Sequence, residues 1–253
     1  MTDLVAGDGV VVRYGTHVAL KASTFRIPDV GTTAVIGPNG SGKSTLLSAI
    51  AGLVPVTSGS LQVLGGQAVD ARRRISYVLQ TTTVAHSTPI TVREAVFLGR
   101  YPNVGLLRRF RAEDRVAVAA AMEEMGITDL ADRQLHELSG GQRQRVHVAQ
   151  ALAQTHDVLL LDEPLTGLDL VSAKTIDRLV HGNDKAANRI ILTTHDLDEA
   201  RASDWVVLVN REVLAFGPPE LVCTRHNLEI AFGLGSLHEW EGFLSDPAHE
   251  DGH

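Results

Sequence analysis

Residues 32–52 restrict this chain more than any other stretch. An apolar run, Thr32 to Ile36, reads as a strand. It leads into Gly37-Pro38-Asn39-Gly40-Ser41-Gly42-Lys43-Ser44-Thr45, and Lys43 to Ala51 has the character of a helix that Gly52 stops. The segment fills G-x-x-x-x-G-K-[ST] at every fixed position. Strand, glycine-rich loop and helix together form an anion holder. The glycines let the backbone close around phosphate oxygens, and the loop N–H groups and the positive end of the helix point at the charge. Lys43 places an ammonium on the outer phosphates, and Ser44 offers a hydroxyl to Mg²⁺.

The rest of the chain keeps the rhythm such a loop requires. Val10 to Arg13 and Val18 to Ile27 read as strands joined by a turn at Gly15, followed by strand candidates at Leu61 to Leu64 and Ile75 to Leu79. From about 85 to 157 the sequence becomes helical. Thr91 and Glu94 have capping-box spacing, Glu113 to Met125 is Ala-rich, and Ser139-Gly-Gly-Gln142 opens a helix running through Gln154. Strands then alternate with helices: Val158 to Leu161, Leu170 to Val180, Arg189 to Thr193, Asp196 to Ala202, Trp205 to Val209. The alternation argues an α/β fold, a parallel sheet flanked by helices. With its phosphate loop the chain resembles the P-loop NTPases, which implies a RecA-like parallel sheet core with an N-terminal antiparallel β part and an inserted helical lobe. The expected organisation is one ATP-binding domain over 1–222 and a short extension over 223–253, helical after Pro219 and disordered from Asp246.

Val158-Leu-Leu-Leu-Asp162-Glu163 is the second chemical element. An apolar strand buried on both faces and ending in two carboxylates delivers them to the sheet edge where open α/β folds bind ligands. Asp162 is suited to hold Mg²⁺ through water, and Glu163 to polarise an attacking water as general base. The third is Leu138-Ser139-Gly140-Gly141-Gln142-Arg-Gln-Arg145. A serine and two glycines at a helix start make a second anion cradle.

With the two preceding motifs, this segment resembles the signature of the ABC ATPase family without a mismatch, and the resemblance covers about residues 5 to 222. It implies ATP and Mg²⁺ as cofactors and a head-to-tail homodimer. Each ATP would lie between the phosphate loop of one subunit and Ser139, Gly140, Gly141 and Gln142 of the other. It also implies an adenine-stacking role for Tyr14, and contact of Gln80 with Mg²⁺ and the attacking water. Leu168-Asp169 falls in the segment that crosses the dimer interface, and His195 corresponds to the switch histidine on the γ-phosphate. Many relatives have Tyr-Val-Pro-Gln where this chain has Tyr77-Val78-Leu79-Gln80.

Composition narrows the class. Of 253 residues, 44% are hydrophobic and 21% charged, the balance of a globular chain with a sizeable core. A net charge of −7 gives no support for nucleic-acid binding, although Arg108, Arg109 and Arg111 cluster. A single cysteine, Cys223, excludes an intrachain disulfide and suggests a reducing compartment. No signal peptide is evident at the N-terminus, and no apolar run reaches the ~20 residues of a membrane span. Work at a membrane would go through a partner. The resemblance to the ABC family implies a peripheral subunit on the cytoplasmic face of the plasma membrane, joined to integral permease subunits and, through them, to an extracytoplasmic solute-binding protein. Docking is expected on Thr81 to Tyr101, with Phe97 or Leu98 in contact if exposed.

Two rivals are weaker. DNA-repair ATPases of this family insert a long coiled coil between phosphate loop and signature, and the stretch from Lys43 to Leu138 has room only for a small lobe; translation types usually carry two cassettes. A catalytically dead regulator would not be expected to keep Lys43, Asp162, Glu163 and His195. Pro89 to Tyr101 and Asn210 to Pro219 are similar to the manganese/zinc importer group, with siderophore and cobalamin importers as the alternative. His86, His238, His249 and His253 read as solvent residues.

Overall fold

The computed structural model describes residues 3–80, 89–105, 109–182 and 189–233. Two long strands, β1 (Asp3–Tyr14) and β2 (His17–Pro28), form the opening hairpin. They turn at Gly15, whose φ of +58° suits glycine. Both strands run further than their apolar runs suggest, because half of each faces solvent. The chain then enters the core as β3 (Thr32–Ile36), buried at all five positions, and leaves it through the glycine-rich loop into α1 (Lys43–Ile50). β4 (Ser58–Val63) returns to pair with β1, and β5 (Gly66–Gln67), α2 (Ala68–Ala71) and β6 (Ile75–Val78) follow.

The helical lobe comprises α3 (Val92–Leu98), α4 (Tyr101–Val104), α5 (Ala112–Glu124) and α6 (Gly140–Ala153). Its first helix begins as expected: Thr91 accepts from the Glu94 N–H while Glu94 accepts from the Thr91 N–H. The lobe is bolted by a pair the sequence does not announce. Buried Arg100 meets buried Asp114 at 2.8 Å and donates to the Ala153 carbonyl at 2.7 Å, tying α5 to the end of α6. Phe97 is half-buried, packed on Phe110 at 5.1 Å and against the lobe's core, whereas Leu98 is exposed. Of the two residues expected to meet a partner, Phe97 is therefore a packing residue.

The chain next forms β7 (Val158–Asp162), α7 (Leu170–His181), β8 (Ile190–Thr194), α8 (Leu197–Ala202), β9 (Trp205–Val209) and β10 (Val213–Gly217). The short helices α9 (Pro219–Val222) and α10 (Arg225–Phe232) close the described chain. The six-stranded sheet has the order β10-β9-β3-β8-β7-β6, parallel except for β10; the four-stranded antiparallel sheet is β2-β1-β4-β5.

Period-2 alternation assigns the faces of the larger sheet. Leu159 and Leu161 face the lobe; Val158 and Leu160 face α1 and the antiparallel sheet. A break after residue 222 is not a packing boundary. Leu228 and Ala231 of α10 share a core cluster with Ala34, Ile36 and Val206, which buries the apolar face of the helix. The disorder expected from Asp246, with Arg108 and the histidines at 86, 238, 249 and 253, lies outside the described residues.

Candidate ATP-binding and hydrolysis site

The phosphate loop is shaped by its neighbours as well as by its glycines. Gly37 has φ +152°, and a β-carbon there would run into the Val209 carbonyl oxygen. At Gly42, φ is +102° and a β-carbon would crowd the Ala19 carbonyl at 2.9 Å. The turn between β9 and β10 braces the loop from outside: the Arg211 N–H donates to the Ser41 carbonyl at 2.7 Å, and the Lys21 N–H to the Arg211 carbonyl at 2.6 Å. Motif reading gives no hint of this brace, because it depends on strands far apart in sequence.

Lys43 is buried and curls over the loop, its ammonium donating to the Gly37 and Pro38 carbonyls at 2.9 and 3.1 Å. Burial lowers its pKa; the charges of Glu163 and Asp162 push it back up. Ser44 Oγ donates to Asp162 Oδ1 at 3.1 Å. The Tyr77 hydroxyl lies 3.4 Å from Asp162 Oδ2, and burial raises its pKa further from the physiological range, so it stays a donor. Gln80 Nε2 donates to Glu163 Oε2 at 3.0 Å. Thus the loop, the strand-end carboxylates and Gln80, three separate stretches of sequence, meet at one sheet edge.

Beside them is an open cleft of about 470 Å³. Its walls include Tyr14, Asn39, Gly40, Ser41, Gly42, Lys43, Ser44, Thr45, Gln80 and Glu163. Tyr14 is half exposed at its rim. His195 is exposed just past β8. Sequence reasoning did not single out Thr193, which bonds both strand-end carboxylate residues.

The signature residues are not among these walls. Ser139 caps α6, its Oγ accepting from the Gln142 N–H at 3.2 Å, while Gln142 Oε1 accepts from the Ser139 N–H at 3.0 Å. Gly140 is exposed with open space around it; Gly141 sits tight against Asp169 and Ser172, with no room for a methyl group. Asp169 caps α7: Oδ1 accepts from the Val171 and Ser172 N–H groups, and Oδ2 from Ser172 Oγ at 2.8 Å. The Ser172 backbone bond, first, holds its pKa down. The signature and the 168–169 segment are therefore one packed unit, and in this chain Asp169 acts as a helix cap.

A family model described as ABC transporter matches residues 20–166. The chain belongs to that family, and it is an ATP-binding, ATP-hydrolysing subunit. It is 38% identical over 97% of its length to the manganese transport system ATP-binding protein MntB of Bacillus subtilis, covering 97% of that protein. It is also 38% identical over 92% of its length to the ferric enterobactin transport ATP-binding protein FepC of Escherichia coli, covering 90% of it. Among solved structures, the dimeric ATP-binding cassette MJ0796 bound to ADP and Pi aligns with a TM-score of 0.73 and 26% identity, over 85% of this chain and 98% of that one. Among the described residues no helix is long and apolar enough to cross a membrane.

Proposed function

We propose that this chain drives the uptake of a divalent metal ion, manganese or zinc, by hydrolysing Mg-ATP at the site above. The observation carrying the ATPase chemistry is the convergence of Ser44, Asp162, Gln80 and Glu163 on the phosphate loop. These are hard oxygen donors and carboxylates of the kind Mg²⁺ prefers, so the residues fit the ion. Ser44, Asp162 and Gln80 would hold it, and when bound it would neutralise charge on the transferring phosphoryl group. Lys43 and the loop N–H groups hold the phosphates, Tyr14 stacks on the base, and Glu163 takes a proton from the attacking water that Gln80 orients. His195, exposed just past β8, reaches the γ-phosphate once the site closes.

The reading includes a head-to-tail homodimer. Ser139, Gly140, Gly141 and Gln142 are not among the residues that line the chain's own cleft, and a second copy supplies the phosphate they would bind; Asp169 orients that face. It also includes permease subunits seated on the cassette at the cytoplasmic face of the membrane, with a solute-binding protein beyond them. A groove of about 270 Å³ between β6 and the lobe, lined by Leu79, Leu98, Pro102 and His147, supports that docking. It lies beside Gln80, so movement at the nucleotide reaches it. Residues 1–222 with the lobe at 85–157 act as one cassette, joined by α10.

The cargo assignment rests on the manganese-system relative and on the similarity of Pro89–Tyr101 and Asn210–Pro219 to that group. The equal identity to a ferric enterobactin relative keeps a chelated-iron importer as the second reading. Elemental analysis of cells lacking the gene, grown in metal-poor medium, separates them. A selective fall in Mn or Zn is expected. Unchanged Mn and Zn with lost uptake of an iron chelate would transfer the assignment to the second reading.

A further inference from the structure

We propose that Thr193 is a positioning residue for ATP hydrolysis: its one hydroxyl sets both the Mg²⁺-holding carboxylate and the general base. This rests on the roles given above to Asp162 and Glu163. The register of the sheet pairs Thr193 directly with Asp162 across β8 and β7. Thr193 Oγ1 donates its proton to Asp162 Oδ1 at 2.6 Å. The same oxygen accepts the Glu163 N–H at 2.8 Å. The side chain is fully buried, so no water can take over either bond.

The second bond matters because of the backbone it holds. Glu163 has φ +46°, a region that residues with a β-carbon rarely occupy. That turn takes Glu163 off the line of β7 and brings its carboxylate to Gln80. Thr193 pins the N–H at the start of the turn. Ser44 and Tyr77 also bond Asp162, but neither bonds the Glu163 backbone. Thr194 does not duplicate the role: its Oγ1 accepts from the Asp196 N–H at 3.0 Å, in the turn towards α8. A threonine in a buried strand can also be a mere β-branched filler, and valine would then serve equally well.

The test compares Thr193→Val, Thr193→Ser and Glu163→Gln in the full chain, measuring kcat, KM for ATP and melting temperature. Electron paramagnetic resonance of Mn²⁺ bound to the ATP complex, in the Glu163→Gln background to stop turnover, reports the metal position independently of rate. Thr193→Val should lower kcat by about tenfold or more, leave KM within about twofold and weaken Mn²⁺ binding, the pattern of misplaced reacting groups. Thr193→Ser, which keeps the hydroxyl, should stay within about threefold of wild type. Wild-type kcat and Mn²⁺ binding in Thr193→Val would overturn the inference, as would a serine variant as impaired as the valine one. If Thr193→Val does not fold, Thr193→Ser and Thr193→Ala differ only in the hydroxyl and must separate in the same way; equal activity would again overturn it. Glu163→Gln with undiminished turnover would overturn the site assignment itself. Glu163→Gln inactive beside a fully active Thr193→Val would overturn only the role of Thr193.

Discussion

The nucleotide end and the signature end of this chain use similar ingredients, glycines and hydroxyls at a helix start, in opposite ways. At the nucleotide end the chemistry-bearing side chains are tied to partners within the chain: Lys43 on the loop carbonyls, Ser44 and Thr193 on Asp162, Gln80 on Glu163. At the signature end Ser139 and Gln142 bond each other, Gly140 is open to solvent, and Leu170 and Val171 stand exposed at the start of the neighbouring helix. One end is cross-tied within the chain. The other presents Gly140 and two apolar side chains to solvent, the surface that the proposed head-to-tail dimer would cover. An exposed apolar pair beside an anion cradle is what a subunit contact needs, which is why the proposed head-to-tail dimer places its face here.

The two glycines of the signature should separate under substitution. Gly141→Ala drives a methyl group into the Asp169 cap and Ser172, and should destabilise the isolated subunit by about 1–3 kcal/mol, seen as a lower melting temperature. Gly140→Ala meets nothing and should melt at or slightly above the wild-type temperature, yet lose most ATP-dependent dimerisation in light scattering. A Gly140 variant that dimerises and hydrolyses normally would remove the presented surface from the account.

The two ends should also respond oppositely to pH. Just past His195, Glu199 is buried, and desolvation, reinforced by Asp196 and Asp177 against a Thr194 hydrogen bond, raises its pKa to about 7. A carboxyl raised on folding stabilises fully below its unfolded value, near 4.5, and that contribution is lost as pH rises through 7. Glu199→Gln should therefore gain stability over wild type between pH 5 and pH 8, by at most about 3 kcal/mol. Asp169, held low by its capping bonds, has the opposite sign: its contribution is present above its unfolded value, near 3.8, and lost as pH falls through the lower folded one. Asp169→Asn should fall short of wild type near neutral pH and converge with it in acid, as read by thermal unfolding.

The sequence made the first of these ends legible almost in full. Gly37–Ser44, Asp162 and Glu163 carry chemistry that needs those residue types at those spacings, and the strands and helices around them are strongly periodic. What it hid depends on register or on packing between distant segments. Thr193 matters because β8 lies beside β7 in one register, and the loop brace exists because the β9–β10 turn folds over Ser41. The resemblance places Asp169 in the segment that crosses the dimer interface; that it also caps α7 is visible only in the bonds of Val171 and Ser172. Phe97 and Leu98 are adjacent and equally apolar; Phe110 and the lobe core decide which one is packed. The packing of α10 on the sheet is hard to read because the helix is short and the apolar positions that bury it, Leu228 and Ala231, are few.

The central claim is that an ATP site takes its phosphate loop from one copy and its signature from another. Equal amounts of Lys43→Ala and Ser139→Ala subunits, each inactive alone, can be mixed and assayed for phosphate release. In a mixed dimer one site combines both lesions and the other has neither. Half the dimers are mixed and each has one intact site, so activity should recover towards about a quarter of the wild-type rate. No recovery, with mixed dimers confirmed by mass spectrometry, would contradict the account, because Ser139 would then be acting within its own chain.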